Sequence, residues 1–125
     1  MYDEAIPSQC NGANEHDEIA ALSLAMTKWI NKVILEVAIL NVIPGMEDEF
    51  LKAFSIAQGI ISKMAGYISH QLKRCIEKTS QFILLVEWEK LTDHTEGFRG
   101  SKEYQEWKRL LHHFYDPFPT VEHYM

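Results

Sequence analysis

At 125 residues the chain has room for one hydrophobic core of ordinary domain size. Its apolar fraction of 46% excludes a chain disordered throughout, and a net charge of −6 argues against a broad phosphate-binding surface and so against a nucleic-acid partner. No apolar run approaches the roughly 20 residues that span a bilayer, and the N-terminal MYDEAIPSQ lacks the basic and apolar regions of a secretory leader, so a cytoplasmic protein without a membrane partner is expected. Cys10 and Cys75 are far apart and show no CxxC spacing, which favours free thiols in a reducing compartment over a disulfide.

The chain divides near Lys32, into an N-terminal segment 1–32 and a core domain 33–125. Residues 1 to about 15 are polar and read as a loose arm. From Glu18, the apolar residues Ile19, Leu22, Met26, Trp29 and Ile30 have helical spacing, with Asn14 or Asp17 as a possible cap. Such an amphipathic helix buries its stripe either on its own domain or against a partner subunit.

The core domain opens with VILEVAILNV. Val33 to Val42 is β-branched and apolar with one charge, Glu36, which predicts a central strand stopped by Pro44-Gly45. Met46, Phe50, Ala53, Phe54, Ala57, Ile60, Ile61 and Met64 then recur at three and four residues and predict a helix with one buried stripe. Glu47, Asp48 and Glu49 suit the positive end of its dipole, and Gly66 its left-handed stop.

A hairpin follows, with arms Tyr67–Ile76 and Phe82–Trp88. A two-residue turn at Lys78-Thr79 would pair His70 with Glu87 and Arg74 with Ile83. It would place His70, Leu72, Arg74, Ile83, Leu85 and Glu87 on one face, and Phe82, Leu84, Val86 and Trp88 on the other with Tyr67, Gln71 and Cys75. Neither Lys78 nor Thr79 is an ideal residue for such a turn, and a loop of different length would change these faces. Next, Thr92 is placed to cap a short helix over Asp93–Phe98 that Gly100 ends, and Ser101 to cap a second with a core stripe of Tyr104, Trp107, Leu111 and Phe114. Asp116-Pro117 and Pro119 break the chain before an edge strand at Thr120–Met125.

The order β-α-β-β-α-β, with two helices on one face of a four-stranded antiparallel sheet, is the ferredoxin-like α+β arrangement. It leaves the other face of the sheet in need of cover.

Metal and nucleotide chemistry find little support. His112 and His113 are adjacent and point about 100° apart on a helix, no HxxxH or HExxH occurs, and structural or surface roles are expected for His112, His113 and His123. There is no GxGxxG, GxxxxGK[ST] or GxSxG. His94 stands out because it follows the third strand, where loops carry function, and a neutral imidazole there accepts or relays a proton. Its alternative is a capping role, with Phe98 as core filling. Glu36, His70 and Glu87 interrupt apolar strands. Such residues either face solvent or a subunit seam, or face the interior and need partners. A His70–Glu87 pair would meet that need, raise the histidine pKa and supply a base. Arg99 either holds a substrate oxyanion or makes a surface ion pair, and Trp88, Trp107 and Tyr115 either line an aromatic pocket or fill the core.

The segment FILLVEWEKLTDHTEGFRGSKEYQEWKRLLHHFYDPFPTVEHYM, placed after a first strand, helix and hairpin arm, resembles the antibiotic biosynthesis monooxygenase (ABM) family of dimeric α+β barrels. The resemblance covers Val33 to Met125, and the N-terminal segment is a departure from it. It implies a homodimer in which a second subunit's sheet covers the open face, with a cavity between sheet and helices in each subunit. In the family the stretch after the third strand often bears a histidine and aromatics beside the cavity, which here implies His94, Phe98 and Arg99. The family's quinol monooxygenase style implies oxidation of a small aromatic by O2 as co-substrate, with no metal or other cofactor. Its haem-degrading style uses an Asn, a Trp and a His where this chain aligns Ala38, Phe98 and Lys108, which disfavours haem. The residues then expected at the site are His94, His70 and Glu87 for catalysis and Phe98, Arg99, Trp88 and Trp107 for substrate. The competing class is a noncatalytic dimer that binds a small hydrophobic ligand or serves a stress response. Polar groups converging in the cavity would favour catalysis.

Overall fold

A computed structural model of the protein describes residues 33–125. The expectations for the N-terminal arm, the helix from Glu18 and Cys10 lie outside those residues.

The elements run β1 (Ile34–Asn41), α1 (Glu47–Ile61), β2 (Tyr67–Arg74), β3 (Gln81–Trp88), a π-helical turn (Asp93–Phe98), α2 (Lys102–Leu111), a 3-10 turn (His112–Phe114) and β4 (Thr120–Tyr124). The four strands form one antiparallel sheet in the order β2-β3-β1-β4. This is the ferredoxin-like topology that the alternation of elements predicts.

β1 is central because nearly every residue in it is apolar. Its strict alternation places Ile34, Glu36, Ala38 and Leu40 against the helices and leaves Leu35, Val37, Ile39 and Asn41 half-exposed on the opposite face. β3 sends Phe82, Leu84, Val86 and Trp88 to the same helix-facing side. On these rest Phe50, Phe54, Ala57 and Ile61 of α1 and Trp107 and Leu111 of α2. Phe50 is fully buried and packs its ring on Phe82 at 5.0 Å and on Phe114 at 5.8 Å. Each such side chain contributes about 1.5–3 kcal/mol by leaving water.

The hairpin differs from the expected register. Arg74 pairs with Phe82 and His70 with Val86, while Ser69 pairs with Glu87 and its hydroxyl donates to the Glu87 carboxylate at 3.1 Å. His70 and Glu87 therefore lie on opposite faces, and the expected His70–Glu87 pair does not form. Two features cause this. The connection occupies residues 75–80, with the Cys75 N–H donating to the Gln81 carbonyl. A β-bulge also falls between Tyr67 and Ser69, so the face parity read at Tyr67 is inverted from Ser69 onward. Tyr67 keeps its predicted face, but Leu72 and Arg74, not Gln71, share the face of Leu84 and Phe82.

The segment after β3 also differs. Thr92 makes no side-chain cap, and Asp93–Phe98 is a π turn. Instead the Lys90 N–H donates to the Asp93 carboxylate. Ser101 does cap α2, accepting from the Tyr104 N–H at 3.1 Å. Gly45 and Gly66 both hold positive φ, at 95° and 84°. A Cβ on Gly66 would also collide with the Asp93 carboxylate.

Gly66→Ala is therefore expected to cost more than about 1 kcal/mol, and Ser101→Ala about 1 kcal/mol. Urea unfolding at one fixed protein concentration reads both. A Gly66→Ala variant as stable as the parent would refute the collision.

Candidate functional site

A cavity of about 370 Å³ lies between the helix-facing side of β1, β3 and β4 and the segment from the π turn through Pro119. Its apolar wall includes Ala38, Leu84, Phe98 and Trp107, and its polar groups include Glu36, His94, Arg99 and Tyr104. His112, Tyr115 and Phe118 close the far side.

Glu36 is the structural surprise. Only 6% exposed, it stands in the middle of the central strand with its side chain toward the core. The Trp88 indole N–H donates to its Oε1 at 2.9 Å. Burial pushes the Glu36 carboxyl above its ordinary value, against the smaller lowering influences of the Trp88 bond and the Arg99 charge.

His94 lies over this group and is 3% exposed. Its ring stacks on Trp88 at 5.5 Å and 21°, its Nε2 stands 3.4 Å from Glu36 Oε1, and its Nδ1 is 2.8 Å from Nε2 of His123. Burial, then the Arg99 and His123 charges, depress its pKa to about 3. The close approach of His94 and Glu36 resembles an ion pair, but the two shifts run in opposite directions and both favour the uncharged members. With its pKa at about 3 the His94 ring is uncharged near neutral pH, so it meets Glu36 as a neutral partner and not as an ion pair.

The π turn explains how His94 and Arg99 come to share a cavity. The Arg99 N–H bonds the His94 carbonyl, five residues back, at 3.1 Å. In an α-helix those residues would point about 140° apart, whereas the wider turn brings them round together. Arg99 is exposed yet lines the cavity, and among the described residues no carboxylate lies within ion-pairing distance of it.

Of the residues read from sequence, His94, Phe98, Arg99, Trp107 and Tyr115 line the cavity. Trp88 lies behind it, fully buried, and acts through Glu36 and His94. His70 is elsewhere: it accepts from the Tyr67 hydroxyl at 2.5 Å and donates to Gln58 at 3.0 Å. Glu87 is half-exposed on the opposite face of the sheet. Neither lines the cavity. Sequence reasoning noted Glu36 as a lone strand charge without placing it at the site, and it gave no site role to Tyr104, His112 or His123. The lone charge in the apolar run of β1 was the available signal for Glu36. His112 and His123, expected to be structural or at the surface, are respectively a cavity wall and the partner of His94. Among the described residues no group of three or more metal-ligating side chains is assembled, and no helix is long and apolar enough to cross a membrane.

The opposed shifts set opposite pH dependences. Above pH 6.5 the His94 ring is neutral whether folded or unfolded. Below 6.5 the unfolded chain takes up a proton that the folded one refuses, so stability falls until about pH 3. Glu36 keeps its proton in the fold after the unfolded chain releases it, so it costs stability as pH rises above 4.5. His94→Gln should flatten the acid-side slope by at most about 1.4 kcal/mol per pH unit, and Glu36→Gln should flatten the opposing one. Unfolding measured as a function of pH checks this. Parallel curves for the parent and His94→Gln would mean that the ring is not held neutral.

Comparison with known proteins bears on family and fold. Residues 33–110 match the family model described as antibiotic biosynthesis monooxygenase. YczJ of Bacillus subtilis (strain 168), a protein of uncharacterised function, is 61% identical over 92 residues, which cover 74% of this chain and 97% of YczJ. A Bordetella bronchiseptica protein assigned to the antibiotic biosynthesis monooxygenases has a solved structure with a TM-score of 0.72 at 31% identity, covering 74% of this chain and 95% of that one. SnoaB, a cofactor-independent oxygenase from Streptomyces nogalater, shares the fold with a TM-score of 0.59 at 17% identity, over 74% of this chain and 88% of its own. With its family pattern matched from the start of β1 into α2, the chain belongs to the antibiotic biosynthesis monooxygenase family.

Proposed function

We propose that the protein is a cofactor-independent monooxygenase that oxidises a small aromatic, of the phenol or quinol class, with O2. The observation that carries this reading is the convergence of Glu36, His94, Arg99 and Tyr104 on one otherwise apolar cavity. A pocket that only holds an apolar ligand has no need of a buried carboxyl, which is costly to desolvate. The fold shared with SnoaB supports the same class of chemistry.

In this reading the aromatic ring packs among Phe98, Trp107 and Leu84. Its hydroxyl faces Glu36, whose raised pKa makes the carboxylate a stronger base than usual. His94 holds that carboxyl in place, and Arg99 stabilises the phenolate that forms. The deprotonated, electron-rich ring then reacts with O2 while the apolar walls keep water away. His70 and Glu87 take no part, since neither reaches the cavity.

We also propose a homodimer. Leu35, Val37, Ile39, Ile83 and Leu85 form a half-exposed apolar band on the sheet face away from the helices. A second copy of that face is a cover of matching shape.

Two measurements test this. Light scattering should return about twice the chain mass of 14.5 kDa; a monomer at micromolar concentration would remove the dimer. A panel of hydroquinones and polyphenols should consume O2 faster with protein than without, with no added reductant or metal. Glu36→Gln should lower turnover by about 10²–10⁴, and Arg99→Leu should lower kcat as well, because the phenolate it stabilises forms only after the substrate has bound. If no compound in the panel is oxidised although some bind, the noncatalytic ligand-binding reading replaces this one.

A further inference from the structure

Beyond the cavity, one arrangement of side chains leads outward from it. Glu36, His94 and His123 stand in line: 3.4 Å separates Glu36 Oε1 from His94 Nε2, and 2.8 Å separates His94 Nδ1 from His123 Nε2. Both nitrogens of the His94 ring are thus engaged, one toward the cavity carboxyl and one away from it. His123 is half-buried on β4, an edge strand of the sheet, where it pairs directly opposite Glu36 across the β1–β4 ladder. We infer that Glu36, His94 and His123 form a proton wire that connects the cavity carboxyl to solvent at the sheet edge.

The step balances by a shift of tautomers. It begins with Glu36 protonated and with the proton of each ring on Nδ1. The carboxyl proton passes to Nε2 of His94 as the Nδ1 proton of that ring passes to Nε2 of His123. His123 then gives its own Nδ1 proton to water. One carboxyl has become a carboxylate, one proton has reached solvent, and both rings end neutral with the opposite tautomer. No lasting imidazolium forms at His94, which suits a ring held neutral by burial. The contact to Glu36 is longer than a hydrogen bond, so a small closure of the carboxyl toward the ring precedes each transfer. The stacking on Trp88 keeps the ring plane from turning away meanwhile. Arg99 is the charged group beside all three members, and its cation favours release of the proton outward.

The wire rests on the reading of Glu36 as the group that takes the substrate proton, but its test needs neither substrate nor O2. In full-length protein, infrared spectroscopy after a pH jump follows loss of the Glu36 carboxyl band, assigned with Glu36→Gln. His123→Gln keeps a hydrogen-bonding group against His94 but has no second ring nitrogen to release a proton. It should slow deprotonation of Glu36 by about a hundredfold, the low end of what a placed proton-transfer group supplies. Equal rates in the parent and a folded His123→Gln would overturn the wire. Should that variant fail to fold, the parent alone decides. With nitrogen-15-labelled histidine, a through-bond coupling between Nδ1 of His94 and Nε2 of His123 is expected, and its absence refutes the shared proton. A working wire in a protein that oxidises no aromatic would uphold this inference while removing the proposed oxygenase.

Discussion

Glu36 is a carboxyl group carried to the centre of a sheet by strand alternation. Its neighbours on β1, Ile34 and Ala38, force its side chain toward the helices, where water does not follow. Such a group has either to be given partners or to lose its charge. Here both happen. Trp88 donates one hydrogen bond, His94 lies against the same oxygen, and burial favours the protonated acid. Three strands are in register to make this possible: Glu36 faces Val86 on β3, with Trp88 two residues further on the same side, and faces His123 on β4. A slip of one residue in either ladder would turn Trp88 or His123 to the opposite face.

The electrostatic character of the cavity follows from that burial. With Glu36 and His94 both drawn toward neutrality, Arg99 is the principal charge acting on the site. Tyr104, whose hydroxyl is held back from ionising chiefly by burial, adds a donor without adding charge. In a region of low dielectric, one cation among neutral polar groups exerts more force on a developing anion than it would in water. The walls supply shape and dryness, and the few polar atoms supply direction.

The parts of the fold that could be read from sequence are those where one periodicity runs undisturbed. β1 and α1 have long regular stripes, and their boundaries and buried faces match the structure closely. Trp107 fell into place for the same reason, as part of the α2 stripe. The parts that escaped depend on single extra residues or on distant pairings. The bulge in β2 leaves no mark beyond an ordinary Ile68. The π turn and an α-helical turn differ in one hydrogen bond, and Thr92 looks like a cap in either case. His123 meets His94 only because β4 returns beside β1, a contact that spacing along the chain does not encode. The family likeness points to the segment after the third strand, which supplies His94, Phe98 and Arg99 to the cavity, but not to Glu36, which lies on the first strand.

The bulge in β2 has a consequence for how relatives of this chain diverge. Side chains three apart on a regular strand point to opposite sides, yet Tyr67 and His70 meet on the helix-facing side because Ile68 is the surplus residue between them. The tyrosine that leans edge-on against Trp88 is thereby coupled to α1 through His70 and Gln58. Loss of one codon at this point would leave Tyr67 and His70 two positions apart on a regular strand, still on the helix-facing side. A one-residue gap at the start of the second strand is thus a smaller change than its place inside a strand suggests, because the side chains that support the indole from behind keep their face.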